Sequence, residues 1–204
     1  MLHHAAVRPT TLGLLKSLMA KNYLNDFVLV GRTNLALQIG HRHSIDLDFF
    51  SNKEFKAEEL DKTLRKDFEM KEPQVVTGST LIVEAEGVKL DFIRFIYLFA
   101  HPFLRVDELV LLDMRDIAPM KIDAITGRGR KKDFYDLFFL LQRFGLNEMM
   151  EWYDRMFHKM TVFHVWKSLT YFDDAEKDAD PLVFDSSVTW PRVKEAIRNE
   201  VRKL

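Results

Sequence analysis

"FVLVGRTNLALQIGHRHSIDLDFFS", residues 27–51, decides how the rest of the chain is read. Its opening, "FVLVG", is a compact apolar run that stops at Gly31, which predicts a strand. "TNLALQIGH" follows, with Leu35 and Ile39 at i and i+4 and Gly40 at its end, which predicts a short helix closed by glycine. "SIDLDFF" predicts a second strand. Side chains alternate along a strand, so Asp46 and Asp48 face one way and Ile45, Leu47 and Phe49 the other. Two neighbouring carboxylates repel, and each resists ionising unless a cation lies between them. Hard oxygen donors of this kind select Mg²⁺ or Mn²⁺. The plainer reading is an Asp-x-Asp at a solvated strand end.

Working outward, "VKLDFIRF" places Asp91 between Leu90 and Phe92. If this strand pairs beside "IDLDFF", a third carboxylate joins the first two. The turn at Gly31 stands between a strand and a helix, where exposed amides hold anions. Three convergent carboxylates and a phosphate-binding turn make a two-metal phosphoryl-transfer site. The alternative for Asp91 is an edge position facing water. His41 and His43 flank Arg42, and a histidine-rich turn of this kind is expected to be exposed rather than a ligand set.

The flanking segments supply the architecture. Residues 10–21 and 54–71 have helical apolar spacing, and residues 79–87 and 88–97 read as a hairpin turning at Glu86-Gly87. From residue 111 the chain is helical: 116–128, 131–145 closed by Gly145, 146–157, and 190–204 with Pro191 at its start. The expected fold class is α+β. A small mixed β-sheet core with flanking helices spans 1–110, and a C-terminal helical lobe, 111–204, completes the active-site cleft. Trp152, Tyr153 and Phe157 are expected in the core, and Asp173 and Asp174 in a solvated loop.

Composition narrows the chemistry. The 204 residues are 47% hydrophobic and 30% charged, with 17 Phe and 3 Trp, which suits a packed soluble domain. The absence of cysteine excludes disulfides, thiolate metal sites and cysteine nucleophiles. A net charge of −1 argues against a dedicated duplex-DNA binder. No signal peptide or membrane span is recognisable, so a cytoplasmic location is expected and no membrane partner. One basic block, "GRGRKK" at 127–132, reads either as a solvated loop or as a phosphate contact.

Together, "FVLVGRTNLALQIGHRHSIDLDFFS" and "MKIDAITGRGRKKDFYDLFFLL" (120–141) resemble the two signatures of the AbiEii/AbiGii toxin group of nucleotidyltransferases, within the DNA polymerase β-like superfamily. Residues 167–181 also resemble a C-terminal stretch of one branch. The resemblance covers nearly the whole chain. It implies a metal-dependent enzyme of a toxin–antitoxin or abortive-infection system that transfers NMP from an NTP to an RNA, such as tRNA, or to a protein hydroxyl, with a cognate antitoxin as partner. It assigns metal binding to Asp46, Asp48 and Asp91, the last also accepting the proton of the attacking hydroxyl. It assigns nucleotide binding to Gly31, Arg32, Thr33, Lys121, Arg128, Lys132 and Asp133, with Lys121 neutralising triphosphate charge. Asp133 reads equally as a helix cap, and Asp136 as a partner in an internal ion pair. Position 32 departs from the family, which has Gly or Ser there. Arg32 either closes the phosphate site, leaving a fold that binds nucleotide or a partner without turnover, or binds phosphate itself. Asn34 likewise replaces a small residue.

Overall fold

The structure, a computed structural model, describes residues 1–158 and 162–203. The chain divides into two compact units, Met1–Leu98 with Pro102–Asp113, and Phe99–His101 with Met114–Leu204.

The first unit is built on a mixed seven-stranded sheet. In chain order its strands are β1 (Val28–Val30), β2 (Leu47–Ser51), β3 (Val75–Thr77), β4 (Thr80–Ala85), β5 (Val88–Arg94), β6 (Leu104–Val106) and β7 (Leu109–Leu111). Their order across the sheet is β3-β4-β5-β2-β1-β7-β6. β1 runs antiparallel to β2, and β2 runs parallel to β5. Helices α1 (Pro9–Met19), α2 (Gly31–Ile39) and α3 (Ala57–Leu64) accompany it. Leu14, Leu15 and Leu18 of α1 and Leu60 and Leu64 of α3 bury against Leu29, Leu47, Phe49, Leu81, Leu90 and Phe92 of the sheet. This is the apolar face that strand alternation leaves opposite Asp48.

The hairpin turns where expected, with Glu86 (φ 51°) and Gly87 (φ 77°) both left-handed, as a two-residue turn between twisted strands requires. In the first unit four points depart from expectation. The helix predicted over 54–71 ends at Leu64, because Arg65 turns back to the Lys71 carbonyl at 2.8 Å and Met70 bridges to Ala85. The paired strands β6 and β7 were not foreseen; each is only three residues long, too short for a periodicity to register. Ile45 is 55% exposed, because the strand begins only at Leu47. His41 and Arg42 are buried rather than exposed, because the bridge from Ser44 to Val7 folds this turn against the N-terminal segment.

The second unit contains α4 (Met114–Arg128), α5 (Lys131–Leu141), α6 (Leu146–Phe157), α7 (Val162–Thr170), α8 (Asp173–Glu176) and α9 (Trp190–Val201). Gly145 precedes α6 as its N-cap instead of closing α5. Asp173 and Asp174 open the short helix α8 rather than a loop. Tyr153 and Phe157 are buried as expected, with rings 5.1 Å apart. Phe134, Tyr135, Phe172 and Trp190 form a second aromatic cluster, with Phe134 and Phe172 5.0 Å apart. Asp116 fastens Phe99–His101 to this unit by accepting the Ala100 and His101 amides at 3.0 and 2.9 Å. Among the described residues no helix is long and apolar enough to cross a membrane.

Candidate active site

The site in the first unit follows from register. Val30, Asp48 and Asp91 are direct partners across β1, β2 and β5, so their side chains project from one face in one row. β1 ends at Val30, and α2 starts at Gly31. The helix N-terminus therefore begins beside the Asp48 carboxylate, where its first amides have no acceptor within the helix. Gly31 is required twice over. Its φ of +69° is left-handed, and a Cβ there would overlap the Asp48 carboxylate.

Asp46 lies just before β2, outside the ladder. Its carboxylate accepts from Arg32 Nη2 at 2.5 Å. Thr33, fully buried, donates its hydroxyl proton to the Asp46 carbonyl and is hydrogen-bonded to the Ser44 hydroxyl at 2.8 Å, which ties the first turn of α2 to this segment. Lys89 Nζ lies 2.7 Å from the Asp91 carboxylate. Lys89 was missed by sequence reasoning, although alternation along β5 places it on the same face as Asp91. Asn34 is structural: its amide donates to the carbonyls of Leu29 (2.6 Å) and Leu112 (3.1 Å).

The donors suit a hard divalent cation in type, and Asp48 and Asp91 suit it in register. Asp46 is held by Arg32. Among the described residues no three His, Asp or Glu side chains form a metal-holding group as they stand.

The residues of the second signature converge separately, within the second unit. Lys121 is 4% exposed, and its Nζ lies 3.2 Å from Asp133 and 2.6 Å from Asp136, both fully buried. Asp136 thus makes the internal ion pair expected of it. Arg128 donates to Asp133 through Nε at 2.9 Å and Nη2 at 3.2 Å, while 56% of its side chain stays exposed. Burial raises the Asp133 pKa, but the charges of Lys121 and Arg128 outweigh it and hold this carboxyl below the usual range. Asp133 is not a cap: the N-cap of α5 is Arg130, and Asp133 sits inside the helix. The Lys131 amide is satisfied from outside, by Asp178 at 3.0 Å. The helix does not run through 121–132, since it ends at Arg128 before the left-handed Gly129 (φ +52°). The basic block is not a free loop. Arg130 pairs with Asp178 at 2.8 Å, and Lys131, itself buried, pairs with Asp180 at 3.1 Å and lies 5.4 Å from the Trp190 ring. Lys132 is half-buried on α5.

The chain is 32% identical over 195 residues to Uncharacterized protein aq_aa25 of Aquifex aeolicus, covering 93% of each. Its fold is similar to that of JHP933 from Helicobacter pylori, with TM-score 0.57, 17% identity, and 97% and 94% of the two chains covered. It is similar also to MenT4, a nucleotidyltransferase toxin of Mycobacterium tuberculosis, with TM-score 0.56, 16% identity, and 95% and 83% covered. Residues 13–201 match the family described as "Nucleotidyl transferase AbiEii toxin, Type IV TA system". With the glycine turn, the Asp-x-Asp strand and the Lys-Arg-Asp cluster all inside that match, the chain belongs to the AbiEii family of nucleotidyltransferase toxins.

Proposed function

We propose that this chain is a cytoplasmic toxin that moves a nucleoside monophosphate from an NTP to a hydroxyl of an RNA, tRNA included, or of a protein, and that a cognate antitoxin restrains it. The observation that carries this reading is the pairing of Asp48 with Asp91 beside the Gly31 end of α2. Asp48 and Asp91, joined by Asp46, are the residues to hold Mg²⁺ or Mn²⁺. Such a cation neutralises phosphate charge and favours the ionised nucleophile. The first amides of α2, at Gly31 to Thr33, receive the β- and γ-phosphates. Asp91 accepts the proton as the acceptor oxygen attacks the α-phosphorus. The bond to the β-phosphate oxygen then breaks, and pyrophosphate leaves. For Arg128, whose side chain reaches the surface of its own unit, we keep the nucleotide-binding role that the family resemblance implies. Lys121 serves as a positioning residue by fixing Asp133 and Asp136.

The test is label transfer from each of the four α-labelled NTPs to bulk tRNA, total RNA and cell protein, in Mg²⁺ and in Mn²⁺. Transfer is expected from one NTP, falling about a hundredfold or more in Asp48→Asn and in Asp91→Asn. No transfer to any acceptor would overturn the enzymatic reading. The ion pair between Arg32 and Asp46 favours a second reading, a nucleotide-binding protein without turnover. Calorimetric NTP binding with no transfer is its signature.

A further inference from the structure

Arg32 and Asp46 are both largely shielded, with side chains 14% and 26% exposed. Neither floats on a loose loop. Arg32 is in the first turn of α2, and the Asp46 carbonyl is bonded by Thr33 of the same turn. The guanidinium therefore approaches Asp46 from a rigid mount. Asp91 has its own cation in Lys89, as Asp46 has in Arg32. The two differ in kind. Lys89 extends from a strand on a long stem, 40% exposed, whereas Arg32 is packed. The guanidinium occupies one Asp46 oxygen and its positive charge repels a cation brought to the other, and a shielded pair is screened little by solvent.

We propose that Arg32 is an internal competitor for the divalent cation, which engages Asp46 only by displacing the guanidinium. The inference rests on the metal-dependent reading above and adds what limits it in this chain. It accounts for the absence, among the described residues, of an assembled three-carboxylate group although the sequence supplies its members.

The test uses the full chain with Mn²⁺ as the probe, reading the free ion by its paramagnetic resonance signal. Arg32→Gln removes the charge and keeps most of the volume; Arg32→Gly removes both. Circular dichroism confirms that each variant folds. In both, the Mn²⁺ dissociation constant is expected to fall at least about tenfold, equivalent to about 1.4 kcal/mol. Adding Asp46→Asn should abolish the gain. Mn²⁺ should also raise the thermal midpoint of the Arg32 variants more than that of the parent. Equal or weaker Mn²⁺ affinity in both Arg32 variants, with binding still lost in Asp48→Asn, overturns the competition and leaves the metal reading standing. No Mn²⁺ binding by parent or variants overturns both.

Discussion

Gly31 stands where three demands meet: the end of a strand, the start of a helix and the neighbourhood of a carboxylate. Its φ of +69° and the Asp48 side chain against its Cα leave no room for a side chain. Gly31→Ala is expected to destabilise the protein by about 1–3 kcal/mol, because it adds left-handed strain and displaces Asp48. Gly13 is the internal control, an exposed helical glycine with nothing within 4 Å of a built Cβ. Gly13→Ala should stabilise by about 0.5–1 kcal/mol. Urea unfolding of the pair checks both signs, and equal effects would show that the Gly31 constraint is not local. Arg32, the next residue, sets its guanidinium on the Asp46 carboxylate from the first turn of the helix.

At the scale of elements, α2 is held on the sheet by polar contacts as much as by its leucines. Asn34 bonds the Leu29 carbonyl in the middle of β1 and the Leu112 carbonyl just after β7, so it staples the helix to two parallel strands that share a single register pair. Asn34→Ala is expected to cost about 1–3 kcal/mol through lost bonds in a buried setting. Hydrogen exchange should show faster opening of β7 than of the β4–β5 hairpin. Unchanged β7 protection would sink the staple. The hairpin itself was legible in the sequence, since alternation on both sides of Glu86-Gly87 leaves few alternatives. β6 and β7 were not, because three-residue strands take their identity from their neighbours. At the N-terminus of α5 the sequence left Asp133 open between a cap and a site residue, for a related reason. Asp133 has the residue type of a cap, yet the Lys131 amide is satisfied by Asp178, 47 residues beyond that lysine.

At the scale of the molecule, the second unit stakes stability on a buried charge cluster. Lys121 neutralises two fully buried carboxylates, and removing it takes a cation from both while Arg128 stays on Asp133. Lys121→Met is expected to cost about 3–5 kcal/mol in global unfolding. Arg128→Ala, at a half-exposed site, should cost less. The pH dependence follows from the lowered pKa of Asp133. Its stabilisation is fully present above the ordinary aspartate value near about 3.9 and is lost as pH falls through the lower folded value. Thermal midpoints taken downward from neutral pH should therefore hold until acid conditions in the parent. In Lys121→Met they should begin to fall at higher pH; an unshifted acid limb would mean that the lysine is not what keeps Asp133 ionised. By itself the sequence determined the strand–glycine–helix–strand order, the hairpin, the helical second half and the two family signatures. These are written in periods of two and 3.6 residues and in turn residues that admit few conformations. Only the tertiary structure decided that β5 lies parallel to β2 in the register that aligns Asp91 with Asp48, since a slip of one residue would have turned either carboxylate to the other face. Only it decided which cation each carboxylate meets: Arg32 for Asp46, Lys89 for Asp91, Lys121 for Asp133 and Asp136. The physical reason is range. Periodicity acts between neighbours in the chain, whereas charge pairing acts between neighbours in space, and the fold chooses those.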